Sequence, residues 1–284
     1  MADVIAADLS FRGMNRRLLG LCFVLALGPS LAAAQAGRGA PGGGRGAQQQ
    51  APADLTGWWV SVVTEDWRWR MVTPKKGDYA SMPLTDEGRK AADAWDPAKD
   101  EREGNACKAY GGAAIMRMPT RLHITWQDAN GLKIETDAGT QTRILRFGDT
   151  AIAAGEPSWQ GSSKASWELL GNVAAARGGG GQGQNGGGGG AAANAPQAPR
   201  FGSLKVVTDR LKPGYLRKNG VPYTGNAVVT EYFDRQTEKN GDVWITVTTI
   251  VEDSKNLTGP YITSSGFKKE PDGSKWHPTP CSAQ

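Results

Sequence analysis

Few side chains in this chain have the type and spacing that catalysis or metal binding requires. His123 and His277 are its two histidines, and they form neither an H-x-H nor an H-x-x-x-H pair, so the sequence predicts no metal site. No G-x-S-x-G motif is present, and serine, histidine and aspartate do not occur in the context of a nucleophilic triad. No cofactor is predicted.

Glu231 is the best candidate for acid–base chemistry. It lies in a segment of alternating residues, 227–253, and shares one face of that segment with Val229 and Phe233. An internal carboxyl group suits a general acid or base, because burial disfavours its charged form. Two alternatives stay open: Glu231 is internal but paired with an arginine such as Arg143 or Arg146, or it faces solvent.

Aromatic residues are abundant, with ten tryptophans and six tyrosines. If the chain forms a closed sheet, some of these rings line its interior, as a pocket for a small, partly apolar or aromatic ligand requires. The alternation in 67–70, WRWR, predicts a strand with two indoles on one face. The expected ligand-binding residues are Trp58, Trp67, Trp69, Trp126 and Tyr232 as apolar walls, with Arg146 and Glu231 as polar anchors. The alternative is that the rings only fill a core.

The elements that position these residues are short strands separated by turns. Asn240-Gly241 joins two alternating runs and predicts a central hairpin. A single short helix is expected after Thr85, a suitable N-cap, and Asp96-Pro97 is expected to end it. Mainly β structure follows for residues 54–284, as an antiparallel barrel or sandwich of about eight to ten strands.

The ends and one internal segment have the composition of unfolded or processed chain. Residues 1–34 resemble a signal peptide, with Arg16-Arg17 before an apolar run and a small-residue cleavage site; Met14 is an alternative start. Residues 35–53 are expected to be a disordered linker, and the glycine-rich residues 178–199 a disordered insert. The sequence therefore predicts export to the periplasm or the extracellular space.

The cysteines indicate one disulfide. Cys22 falls within the signal peptide, which leaves Cys107 and Cys281, and an even pair in an oxidising compartment favours a bond between them. Two free thiols or half of a metal site are the alternatives.

Charge and hydropathy exclude two classes of partner. The net charge is +5, and it becomes +4 without residues 1–34, which hold three basic and two acidic side chains. No basic block suggests nucleic acid, and no segment is apolar enough to predict a membrane span.

Two sets of motifs in this sequence resemble motifs of known groups of proteins. Gly57-x-Trp59 is similar to the G-x-W entry of lipocalins and other calycin barrels. Much of 55–281 resembles a group of uncharacterised exported bacterial proteins with a lipocalin-like sheet. The matching segments are 83–85 (PLT), 107–111 (CKAYG), 159–163 (WQGSS), 230–234 (TEYFD) and 252–253 (ED). The resemblance implies a calycin-like barrel and export, and it implies no reaction.

Three functions remain open at this point. The first is a barrel that binds a small, partly apolar ligand. The second is a cofactor-free enzyme that uses Glu231 as its general acid or base, and the third is a structural or surface-interaction protein with a filled barrel.

Overall fold

The computed structural model describes residues 46–148, 156–169 and 202–284, all of which belong to one compact unit. The predicted signal peptide (1–34), the first part of the predicted linker (35–45) and the predicted glycine-rich insert (178–199) lie outside the described residues.

Nine strands close into a barrel, which confirms the predicted mainly β fold. Around the barrel the order is β1-β11-β10-β9-β6-β5-β4-β3-β2, and β7 and β8 form a separate two-stranded sheet. The strands are β1 (Gly57–Val62), β2 (Arg121–Asp128), β3 (Gly131–Thr136), β4 (Gln141–Phe147), β5 (Ser162–Leu169), β6 (Gly202–Asp209), β7 (Gly214–Arg217), β8 (Val221–Tyr223), β9 (Val228–Thr237), β10 (Val243–Glu252) and β11 (Tyr261–Glu270).

One neighbouring pair in the barrel is parallel, unlike the antiparallel barrel expected from the sequence. β4 pairs with β5 in parallel through only three residue pairs, beginning at Leu145↔Ser163, whereas the other neighbours are antiparallel. In a ring with an odd number of strands, directions cannot alternate all the way round. A nine-stranded closed barrel therefore needs at least one parallel pair, and such a pair needs a crossover connection.

The predicted central hairpin is confirmed. β9 and β10 pair antiparallel over their full lengths, with Glu231 opposite Thr249. The turn is closed by a hydrogen bond from the Glu238 amide to the Asp242 carbonyl, and Gly241 has φ +87°. Glycine adopts this left-handed conformation without a steric penalty.

The described chain contains more helix than the single short helix expected. The α-helices are α1 (Ala47–Gln50), α2 (Trp67–Arg70), α3 (Asp86–Asp93) and α4 (Pro97–Arg102), and two 3₁₀ helices span Ala106–Tyr110 and Ile115–Arg117.

One local expectation about these helices is wrong, and another is incomplete. The segment WRWR forms α2 and not a strand, because four alternating residues are too few to distinguish a strand from one helical turn. Asp96-Pro97 does not simply end the helical region. Asp96 caps the start of α4 by accepting a hydrogen bond from the Lys99 amide, and Pro97 occupies the first turn, where its missing N–H is not needed. The Thr85 cap of α3 is present, with its hydroxyl accepting from the Gly88 amide.

The end of the predicted linker is ordered. Ala47 is buried, its amide donates to Asn130 Oδ1 at 2.8 Å, and its carbonyl accepts from Trp167 Nε1 at 3.0 Å. Folded structure therefore begins by Gly46 and not at Asp54. The composition of this segment does not reveal that it is ordered, because a small alanine packs against aromatic rings supplied by distant strands.

Inward-facing side chains form two apolar clusters. The larger cluster includes Trp59, Leu145, Phe233 and Phe267 and is joined by residues from the 3₁₀ segments. The other lies among β7, β8, α3 and one end of the long hairpin. Its members include Tyr79, Leu211, Leu216, Tyr223, Val229, Val251 and Tyr261.

The predicted disulfide is confirmed. Cys107 and Cys281 are bonded, with their Cα atoms 5.1 Å apart and 174 positions between them in sequence. The bond attaches the C-terminal tail to the segment before β2.

Candidate functional site

A buried ion pair joins β4 to β9 inside the barrel. Arg143 Nη1 donates to Glu231 Oε1 at 3.1 Å, and Arg143 Nη2 donates to Glu231 Oε2 at 2.6 Å. Alternation along each strand turns both side chains inward, and Glu231 is 0 % exposed. Of the possibilities left open by the sequence, the structure contains the internal Glu231 paired with Arg143.

Two hydroxyl groups extend this pair into a polar belt, formed by Arg143, Ser163, Thr208 and Glu231. Arg143 Nη2 lies 3.3 Å from Thr208 Oγ1, which lies 2.8 Å from Ser163 Oγ. The register places Ser163 opposite Thr208 on β5 and β6. Strand pairing therefore brings together residues that lie up to 88 positions apart in the sequence.

The belt lies where the two apolar clusters meet. On β9, Val229 belongs to one cluster and Phe233 to the other, with Glu231 between them. A buried charge is costly unless it is paired and hydrogen-bonded, and the two-pronged contact with Glu231 meets that need for Arg143. The same contact fixes the guanidinium plane and thereby the direction of the Nε–H.

The Nε–H of Arg143 takes no part in these contacts. It is buried and has no hydrogen-bond partner among the described residues. An unpaired buried donor is unusual, because losing water without gaining a partner costs about 1–3 kcal/mol.

A cavity of about 230 Å³ lies next to Arg143. It is lined by Thr142, Arg143, Ile144, Arg146, Ser158, Gln160, Gly161, Ser162 and Ser163. The short parallel ladder explains its position, since pairing of β4 with β5 begins only at Leu145. Before that point Ser158 pairs instead with the chain after β6, through backbone hydrogen bonds with Arg210 and Lys212.

Gln160, which lines the same cavity, has an acceptor without a partner among the described residues. Its Nε2 donates to the Tyr110 carbonyl at 2.7 Å and to Gln141 Oε1 at 2.9 Å. These two acceptors fix the amide orientation, because a flipped amide would place oxygen against oxygen. Gln160 Oε1 then remains buried without a partner in the described part of the chain. The residues that line the cavity therefore include one with an unpaired buried donor, Arg143 Nε–H, and one with an unpaired buried acceptor, Gln160 Oε1.

The residues predicted from sequence to line one pocket lie apart. Trp58 faces outward and stacks on His123, with ring centroids 3.8 Å apart. Trp67 is 64 % exposed on α2. Trp69 lies over Arg217, whose Cζ is 4.9 Å from the ring centroid.

The other predicted residues are equally dispersed. Trp126 packs against Phe147 near the segment 46–53, and Tyr232 is an outward-facing residue with Lys205 Nζ 5.5 Å from its ring. Arg146 lines the cavity beside Arg143 while pairing with Asp128 at 2.6 Å. The single aromatic wall expected from the sequence is therefore not formed, because Trp58 and Tyr232 occupy outward strand positions and the pair Trp67 and Trp69 lies on a helix.

A second, more open cavity lies at Trp126. Its volume is about 590 Å³, and it is lined by Gln48, Ala51, Pro52, Ala53, Asp54, Thr56, Thr125 and Trp126. In contrast to the cavity at Arg143, it holds no buried side chain that lacks a hydrogen-bond partner among the described residues. The cavity at Trp126 is therefore a weaker candidate for a ligand site than the cavity at Arg143.

Neither a metal centre nor a membrane-spanning helix is found in the described ranges. No group of three or more His, Cys, Asp or Glu side chains in residues 46–148, 156–169 and 202–284 is placed to hold a metal ion. Within the same ranges, no helix has the length and apolar character needed to cross a membrane. Comparison with protein-family models, curated proteins and solved structures found no match to this chain.

Proposed function

We propose that this protein binds a small, partly apolar molecule in the cavity between β4 and the segment 158–162. The observation that carries the proposal is the pair of unsatisfied buried groups, Arg143 Nε–H and Gln160 Oε1, whose residues line one cavity. A ligand that pairs with both groups removes two desolvation costs at once.

The two groups define the polar part of the ligand. It must offer an acceptor to Arg143 Nε–H and a donor to Gln160 Oε1, as a primary amide, a protonated acid or a hydroxy-carbonyl group does. Arg143 is already neutralised by Glu231, so a second full negative charge is not required. Ile144 and Gly161 supply apolar contacts beside these groups.

The volume limits the size of the ligand. A cavity of about 230 Å³ is smaller than the ~300–1,000 Å³ of most drug-sized pockets. We therefore expect a compact metabolite or the polar end of a longer molecule, and we expect affinity to depend on the two hydrogen bonds more than on buried area.

Catalysis by Glu231 is the alternative function. Both carboxylate oxygens accept from Arg143, so proton transfer at Glu231 requires this pair to open. The arrangement favours a role in which Glu231 orients Arg143. A structural protein with a filled barrel is the other alternative, and the packed apolar clusters are the observation in its favour.

Export and lipocalin-like kinship belong to the same proposal. The closed barrel supports the kinship and the disulfide supports export, since disulfides persist in oxidising compartments. The proposed role is then binding of a small molecule outside the cytoplasm.

The proposal is tested with acetamide, which offers one acceptor and one donor. Acetamide is titrated into ¹⁵N-labelled protein while the Nε–Hε resonance of Arg143 is followed. We expect a saturable shift with a dissociation constant on the order of 1 mM or weaker, as a four-atom probe permits.

Two tryptophan variants provide matched controls. Ile144→Trp fills the cavity and should abolish the Arg143 shift, whereas Ile262→Trp, at a position 61 % exposed on β11, should retain it. An unchanged Arg143 resonance in the wild type, or an equal response from both variants, would contradict the proposed site.

A further inference from the structure

Three buried arginines that do not belong to the polar belt line a separate, smaller cavity. Arg70 lies at the end of α2, Arg117 in the 3₁₀ helix Ile115–Arg117, and Arg217 at the end of β7. All three are at least nine-tenths buried and line one small cavity beside Trp69 and Met118. Buried arginines require compensating negative charge, so the partners of these three arginines indicate whether the cavity lacks such charge.

Two of the three arginines have carboxylate partners. Arg70 pairs with Glu65, and Arg117 Nη2 pairs with Asp66 at 2.9 Å. Arg217 has no carboxylate partner in the described part of the chain. Its Nη1 donates to the Ala80 carbonyl at 2.8 Å, and its guanidinium lies over the Trp69 ring.

The same arginines leave hydrogen-bond donors unused. Arg117 Nη1, Arg217 Nε and Arg217 Nη2 are buried and have no partner among the described residues. The residues that line the cavity therefore carry three unpaired donors, and one of these residues, Arg217, has a positive charge without a carboxylate partner in the described ranges. Burial lowers the pKa of Arg70, and the Arg117 charge acts in the same direction, while Glu65 and Asp66 oppose the shift.

We propose that this arginine cavity, lined by Arg70, Arg117 and Arg217, binds a single small anion of halide size. The anion accepts from Arg117 Nη1 and Arg217 Nη2 and supplies the charge that Arg217 lacks. Hydrogen bonds between ionised partners are roughly twice as strong as neutral ones, so the anion is favoured over water at the same donors.

The cavity volume sets the class of anion. It measures about 20 Å³, somewhat more than the ~10–15 Å³ that one water requires. A monatomic halide meets that limit, whereas phosphate and sulfate, with five heavy atoms, exceed it. Chloride is the abundant anion of this class, and it has no donor that would clash with the arginines.

Bromide provides the direct test because it replaces chloride and scatters anomalously. Crystals of the wild-type protein are soaked in sodium bromide, and anomalous difference maps are calculated. We expect a peak within about 3.5 Å of Arg117 Nη1 and Arg217 Nη2, consistent with a hydrogen-bonded contact. Bromide peaks elsewhere with none in the arginine cavity, or a water in its place, would overturn the proposal.

Thermal unfolding in solution provides the second measurement. Sodium chloride is exchanged for sodium gluconate at constant ionic strength, since gluconate is too large for the cavity. Chloride should raise the Tm of the wild type with the logarithm of its concentration, on the order of 5 °C at about 100 times its dissociation constant. A Tm that is the same in the two salts contradicts the site.

Two variants separate specific binding from general salt effects. Arg217→Met removes two of the three unpaired donors together with the uncompensated charge, and it should lose the chloride dependence. Arg68→Met should keep it, since Arg68 is exposed, pairs with Asp78 and does not line the cavity. If both variants kept the full chloride response, the effect would not arise at Arg217. The bromide map of the wild type decides the matter even if Arg217→Met fails to fold.

Discussion

At the scale of single residues, the proposed site depends on the ion pair between Arg143 and Glu231. Replacing Glu231 by glutamine leaves the Arg143 charge buried without compensation. We expect Glu231→Gln to lower the free energy of unfolding by about 3–5 kcal/mol, measured by urea denaturation. Arg143→Met should have an effect of similar size for the corresponding reason.

The double variant is the control for that prediction. In Arg143→Met with Glu231→Leu, both charges are gone and apolar groups fill the space, so most of the lost stability should return. If the losses of Arg143→Met and Glu231→Leu, each measured as a single variant, simply added in the double variant, the two residues would not act as a pair. An inactive but fully stable Glu231→Gln variant, found with an identified substrate, would instead support the catalytic alternative.

The sequence predicts part of this residue-scale arrangement. Period-2 alternation places Glu231 on one face with Val229 and Phe233, and Arg143 is one of two arginines that the sequence suggests as its partner if that face is internal. Gln160 and Thr208 are not identified from the sequence. Their roles depend on strand register and on a loop that pairs with distant chain, and neither leaves a local pattern.

At the scale of elements, the cavity exists because the barrel has an odd number of strands. The parallel pairing of β4 with β5 is short. The segment 158–161, just before β5, does not pair with β4 and lies instead along the chain that follows β6. Gly161 permits that path, since it has φ +64° and a Cβ at this position would clash with the Asp209 carbonyl oxygen.

Gly161→Ala should therefore be destabilising. The left-handed backbone alone costs an alanine about 1–2 kcal/mol, and the close carbonyl adds a steric term. Gly77→Ala is the matched control, because Gly77 has φ +88° with nothing within 4 Å of the place that a Cβ would occupy. Chemical denaturation should show a clearly larger loss for Gly161→Ala. Equal losses would mean that the 158–161 segment is not held against the chain after β6.

Element types are predicted well where the pattern is long and poorly where it is short. The ten-residue strands β9 and β10 alternate throughout, and the sequence identifies both. The four residues of α2 alternate equally well, yet Asp66 turns the chain with φ +51° and starts a helix. Strand direction cannot be predicted from sequence patterns, since alternation is the same in parallel and antiparallel pairs.

At the scale of the whole molecule, the disulfide joins distant parts of the chain. In the chain-entropy model, closing a loop of 174 residues contributes about 5 kcal/mol. We expect Cys281→Ser to lower the free energy of unfolding by up to that amount, measured in urea. Treatment of the wild type with a reductant should have the same effect, while the variant should not respond further. A reductant effect of equal size in Cys281→Ser would contradict this assignment.

Stability should also fall in alkali because buried tyrosines resist ionisation. Burial raises the pKa of Tyr223, and burial together with the Asp100 hydrogen bond raises the pKa of Tyr215. Above about pH 10 the unfolded chain loses these protons while the native protein keeps them, so unfolding releases protons and stability decreases as pH rises. For Tyr223 the slope is about 1.4 kcal/mol per pH unit.

Unfolding free energies measured in urea from about pH 8 to pH 12 test this prediction. Tyr223→Phe should reduce the slope. It should cost little at neutral pH, because Tyr223 Oη has no hydrogen-bond partner in the described part of the chain. A slope unchanged by Tyr223→Phe would show that the alkaline loss arises elsewhere.

The central claim is that the cavity beside Arg143 holds a small polar molecule, and a crystallographic fragment soak tests it most directly. Crystals are soaked with small amides, hydroxy acids and alcohols, and with hydrocarbon analogues of the same size. The account predicts density within hydrogen-bond distance of Arg143 Nε and Gln160 Oε1 for the fragments that offer both an acceptor and a donor. Fragments bound only in the cavity at Trp126, with none beside Arg143, would contradict it.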